Sequence, residues 1–220
     1  MDGQGFLATK LFLLSQMSNK NLNTVVLDVA PGIIADVDSE SKLSYLFPEI
    51  NLNEDLKREV FQNMPLERIS FLSSIYPYNS RIVDILFPKQ NVHLDSYKKT
   101  LGFEPLAPNE TMRKMDISLD VSSVEVQEQI NKSLALLDDI KNWCDVRGIR
   151  LIMVVSPIFE ISQSHRSVLE KAKQRLELLD FSQMGDGHPD WFNDDLHLNA
   201  MGAEVFSDSL KIYLKNRYYK

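Results

Sequence analysis

Hydrophobic positions along the chain change period several times, and each change marks an element. Phe6, Leu7, Leu11, Leu14 and Met17 recur at helical spacing, so the segment from Phe6 to Met17 is expected to be an amphipathic helix. The polar stretch 19–23 breaks it. Residues 24–30, TVVLDVA, are β-branched and almost wholly apolar, the pattern of a strand covered on both faces, and Pro31 and Gly32 end it. Residues 36–120 carry little period. Short helices are expected over 41–47, 53–63, 65–75 and 79–87, punctuated by prolines at 48, 65, 77, 88, 105 and 108, and the whole reads as an irregular insertion.

The pattern sharpens after Asp120. Ser122 and Glu125 stand at capping-box spacing, and Val126, Ile130, Leu134, Leu137, Ile140 and Cys144 then follow one helix face up to Gly148. Ile149 to Val155, IRLIMVV, is a second buried-strand pattern, stopped by Ser156 and Pro157. A helix over 162–175, a strand over 176–181, a loop and a closing helix over 199–214 complete the chain. Helices alternating with apolar strands predict an α/β fold built on a parallel sheet, in a single domain with 36–120 as its insertion.

Composition narrows the partners. The chain has 220 residues, 44% hydrophobic and 25% charged, enough apolar material for a core. With 24 Lys+Arg against 31 Asp+Glu the formal charge is −7, which repels phosphate backbones and anionic lipid, so no nucleic acid is expected as a partner. The single cysteine, Cys144, rules out an intramolecular disulfide and a cysteine-based zinc site. His93, His165 and His188 have no ligand-like spacing, so no metal site and no cofactor are expected. No run approaches the roughly 20 apolar residues of a membrane span, and Asp2 and Lys10 spoil the opening stretch as a signal peptide. As written, the sequence reads as soluble, with no membrane segment.

Chemistry concentrates near the end, in FNDDLHLNAMGAEVFSDSL, residues 192–210. Asp194 and His197 stand three apart just before a helix. That spacing lets the carboxylate hold the imidazole by Nδ1 and leaves Nε2 as a general base for a hydroxyl nucleophile. Asp195 is the alternative acid, but adjacent side chains in a regular element point apart, which favours Asp194. The plain alternative is that Asn199 caps the last helix and His197 is an ordinary loop residue.

This block resembles the acid–histidine block of SGNH (GDSL-type) hydrolases and acyltransferases, and most of all the branch that acts in cell-envelope polysaccharide O-acylation. The resemblance covers residues 1 to about 35 and 122–215. It implies a three-layer, flavodoxin-like sheet and an esterase or O-acyltransferase acting on acyl esters of an envelope glycan, with Asp194 and His197 catalytic. It implies a periplasmic or envelope location and a Gly202 packed against the sheet. The opening MDGQGF resembles the family's second block, which makes Gly3, with Gly5 next, an oxyanion-binding backbone donor.

The departures are informative. The family's first block ends a strand in Gly-Asp-Ser or Gly-Ser-Ser, and neither string occurs here. VAPGI, 29–33, stands where the family offers an asparagine. The resemblance therefore implies a sheet incomplete on its N-terminal side, with Met1 an internal methionine or the gene a decayed fragment, and a chain that is inactive or nearly so. A non-catalytic remnant that binds or scaffolds glycan is the alternative. Ser156, at the end of a strand, is the one other serine in a functional position, but it lacks a G-x-S-x-G setting, and a strand-ending turn explains it. Ser73 and Ser74 carry no signal. TVVLDVAPG also resembles the phospho-acceptor strand of receiver domains, with Asp28 as acceptor, yet the acidic pair and lysine such domains need are not recognisable.

Overall fold

A computed structural model describes residues 5–15, 22–36, 50–51, 53–73 and 119–218. The elements are α1 (Phe6–Ser15), β1 (Thr24–Asp28), α2 (Pro31–Ile34), α3 (Glu54–Asn63), α4 (Glu67–Ser70), α5 (Val124–Val146), β2 (Arg150–Val155), α6 (Gln163–Lys173), β3 (Leu178–Asp180), a 3₁₀ turn (Pro189–Trp191) and α7 (Ala200–Tyr218). The helices expected over 41–47 and 79–87, and Gly3, lie outside the described residues. The described chain forms two compact units.

The first unit is helical. The apolar face of α1, with Phe6, Leu7, Ala8 and Leu11 buried, packs against α3 and α5. Lys10, the residue that interrupts that apolar run, reaches Glu59 of α3 at 2.6 Å and Asp139 of α5 at 3.2 Å. Asn53 caps α3 by accepting from the Asp55 and Leu56 amides. α5 buries Ile130, Leu134, Leu137, Ile140 and Cys144, and burial pushes the Cys144 thiol up. Its cap is Ser123, whose Oγ accepts from the Val126 amide at 3.2 Å, not Ser122 as the capping-box spacing suggests. Ser122 turns to Asp120 instead, at 2.6 Å. Gly148 follows α5 at φ 68°, a left-handed stop that glycine enters without steric cost.

The second unit holds a small three-stranded parallel sheet in the order β1-β2-β3, a mixed helix-and-strand architecture that agrees with the α/β expectation. Met153, Val154 and Val155 of β2 stand opposite Leu178, Leu179 and Asp180 of β3. Only the central strand is the buried strand that its composition predicts, with Ile152, Met153, Val154 and Val155 all buried. β1 was expected to be covered on both faces. Among the described residues it is an edge strand of this sheet with Val26 46% exposed, because apolar β-branched residues suit an edge as readily as a centre. α6 lays Val168, Leu169 and Ala172 inward, and Leu169 joins Val155, Ile158 and Ile161 in one cluster with Leu178 and Leu196 packed on it. Among the described residues no helix is long and apolar enough to cross a membrane.

Candidate functional site

The segment from Phe192 to Leu198 folds back on itself. Phe192 and Leu198 form an antiparallel bridge, and the Asn193 amide donates to the His197 carbonyl at 2.8 Å. The Asp194 side chain fills the turn so made. Its Oδ1 accepts from the Leu196 and His197 amides at 3.0 and 2.8 Å, and its two oxygens lie 2.8 and 3.0 Å from His197 Nδ1. Burial works against the Asp194 charge, but the Leu196 amide and the His197 ring and amide outweigh it and hold the carboxyl below its ordinary value. An ionised carboxylate can only accept, so His197 Nδ1 is the donor of this contact and Nε2 is the ring nitrogen left outside it. The His197 side chain is 48% exposed against 15% for Asp194. The imidazole is open to solvent while the carboxylate that holds it is sheltered.

Asp195 takes a different direction. Its charge acts on His165, a buried residue of α6 whose Nδ1 lies 3.1 Å from Ser162 Oγ. Burial lowers the His165 pKa and the Asp195 charge opposes that shift. The carboxylate in contact with His197 is that of Asp194.

Asn199 caps α7, its Oδ1 accepting from the Met201 and Gly202 amides at 3.0 and 3.1 Å, while its Nδ2 donates to the Asp190 and Phe192 carbonyls. Cap and acid–histidine pair are therefore compatible readings of one segment. The resemblance implied a Gly202 packed against the sheet; the atoms nearest to it are those of the 3₁₀ turn and of Leu198. A side chain there would meet the Trp191 carbonyl, Trp191 Cβ at 2.8 Å and Leu198 Cδ2 at 2.9 Å, so glycine lets α7 start directly against the 3₁₀ turn. The loop is anchored to the segment after β2 by the Phe159 amide, which donates to the Asp195 carbonyl at 3.1 Å.

Gly5 belongs to the first unit, where it is buried and its carbonyl accepts from the Ala8 and Thr9 amides at the start of α1. Those bonds give Gly5 a capping role. Among the described residues no group of three or more His, Cys, Asp or Glu side chains is arranged to hold a metal ion.

One contact escapes sequence reasoning altogether. Ser156 Oγ donates to Asp28 Oδ2 at 2.7 Å, and the Ser156 amide donates to Asp28 Oδ1 at 3.2 Å. The two residues end neighbouring strands but are 128 positions apart, so nothing local in the sequence links them. Asp28 keeps an open side to solvent, yet protein atoms crowd its carboxyl and raise its pKa against the Ser156 and Val29 hydrogen bonds. An open cleft of about 340 Å³ lies near these loops, lined by Phe159, Glu160, Ile161, Arg166, Asp186 and their neighbours. Another, of about 440 Å³, lies along α3 and α4 in the first unit and holds none of these groups. No family model, curated protein or solved structure matches this chain.

Proposed function

We propose that the protein is an SGNH-like acyl-ester hydrolase or O-acyltransferase whose flavodoxin-like domain acts on acyl groups of an envelope glycan. The observation that carries the reading is the Asp194–His197 pair, with Nδ1 fixed by the carboxylate at 2.8 Å on a side chain that is half exposed. Such a pair takes a proton from a hydroxyl and returns it to a leaving alcohol, which is the proton traffic of acyl transfer. Hydrolysis and transfer share that traffic and differ only in the acceptor, water or a glycan hydroxyl. No cofactor is needed for this chemistry.

The sequence holds no Gly-Asp-Ser or Gly-Ser-Ser block, so a second reading stands beside the first: a glycan-binding remnant that keeps the pair without turnover. The test is release of acetate from an acetylated glycan and from p-nitrophenyl acetate by the purified chain. Turnover is expected to be slow, far below that of a full triad, and to fall about 100-fold or more in His197→Ala. Turnover unchanged by that substitution sinks the catalytic role of the Asp194–His197 pair. Binding of the acetylated glycan without any acetate release favours the remnant.

A further inference from the structure

The C-terminal edge of a parallel sheet is where open α/β folds place their ligands. Here β1 ends on Asp28 and β2 is followed at once by Ser156. The scaffold beneath them is stiff. The Val29 amide donates to the Val154 carbonyl at 2.7 Å, and Val29, Val154, Val155 and Pro157 are all buried. Pro157 also confines Ser156 to extended backbone. Asp28 receives both donors of Ser156, one on each carboxylate oxygen, so the hydroxyl has one orientation. Its proton points at Asp28, and its lone pairs remain on the half-buried side chain next to solvent.

A hydroxyl donating to a carboxylate at 2.7 Å, on a rigid support and open to reactants, has the geometry of a nucleophile with its base. We infer that Ser156 is an acyl-accepting nucleophile and that Asp28 is the base that takes its proton. The inference rests on the acyl-ester reading for the class of electrophile, and it assigns the proton of Ser156 to Asp28 rather than to His197.

In the step so assigned, Ser156 Oγ forms a bond to the ester carbonyl carbon while its proton passes to Asp28 Oδ2. The tetrahedral species collapses with cleavage of the carbon–alkoxide bond, and the Asp28 proton goes to the departing alkoxide, which leaves as the alcohol. Water or a second alcohol then passes its proton to Asp28 and adds to the carbonyl carbon of the Ser156 ester; the acyl–Oγ bond breaks, the proton returns from Asp28 to Ser156 Oγ, and the acid or the new ester leaves. No oxidant, reductant or metal enters the balance.

The experiment is peptide mapping by mass spectrometry after exposure of the full chain to p-nitrophenyl acetate and, separately, to an alkyl fluorophosphonate. One acetyl or phosphonyl group is expected on Ser156 of the wild-type protein. Labelling is expected to be absent in Ser156→Ala and to slow about 100-fold or more in Asp28→Asn. Wild-type protein unlabelled at Ser156 overturns the inference whatever the variants do, and equal labelling rates in wild type and folded Asp28→Asn overturn the role of Asp28. Ser156 labelled while ester turnover ignores His197 sinks the Asp194–His197 reading alone. Turnover lost in His197→Ala with Ser156 unlabelled sinks this inference alone.

Discussion

Asn199 shows how much a single side chain can do at the start of a helix. It is fully buried, its carbonyl oxygen caps α7, and its amide ties that cap to the Asp190 and Phe192 carbonyls. Truncation leaves two helix amides and two carbonyls without that partner, and desolvated polar groups left unmade cost more than an average hydrogen bond contributes. Asn199→Ala is therefore expected to lose about 2–4 kcal/mol, combining the cap with the buried acceptors. A urea unfolding midpoint lowered at unchanged slope measures it, and a loss under 0.5 kcal/mol would show that the cap is replaced by solvent. At this scale the sequence was readable where partners are near. Asp194 finds His197 three residues away, so spacing alone located the pair. Asp28 finds Ser156 only through the sheet, and no pattern within either strand announces it.

Elements were readable where burial is regular. The centre of the sheet, β2, and the face of α5 carry uninterrupted apolar periods and appear where those periods put them. β1 is mostly apolar like β2 but not buried like it, since a run of apolar residues states what can be buried, not how many neighbours the strand has. The cap of α5 slipped by one residue because Ser122 and Ser123 are both competent caps, and Asp120 claims the first. Lys10 is the element-scale exception that proves useful. It breaks an apolar face, yet it is only 13% exposed and reaches acids on two other helices. Burial disfavours its charge, but Glu59 and Asp139 raise its pKa above the ordinary value regardless. Removing the cation leaves Glu59, 16% exposed, facing an apolar helix. Lys10→Met is expected to cost about 2 kcal/mol, less than the 3–5 typical of breaking a fully buried pair. Lys10→Met with Glu59→Leu is expected to regain most of it. A double variant no more stable than the single one in urea would mean that the ammonium contributes little.

At the scale of the whole molecule, acid and base pull on the chain through different residues. The flavodoxin-like layering that the resemblance implies depends on long-range strand order, which periodicity does not encode, whereas a parallel sheet among helices follows from the alternation itself. Charge is where the molecule responds as one. Asp180 is held below its ordinary value: burial opposes its charge, but Lys173 at 2.6 Å and the Ser182 donors prevail. Asp194 is lowered in the same direction. A carboxyl with a depressed folded pKa stabilises above its unfolded value, about 3.9, and loses that contribution as pH falls through the folded value. Asp28 has the opposite sign. Its folded pKa is raised, so its contribution is complete below about pH 3.9 and is lost as pH climbs through the folded value. Stability is therefore expected to fall below pH 4 as Asp180 and Asp194 protonate, while a separate loss from Asp28 develops above pH 4. Asp28→Asn should remove that second loss and leave the protein at least as stable as wild type at pH 7. Asp194→Asn should flatten the fall on the acid side. Urea midpoints collected between pH 3 and 8 for the three proteins decide it. Were Asp28→Asn clearly less stable at pH 7, the carboxylate would be a structural clamp on Ser156, and the cost of crowding its charge would be more than returned by the two bonds it receives.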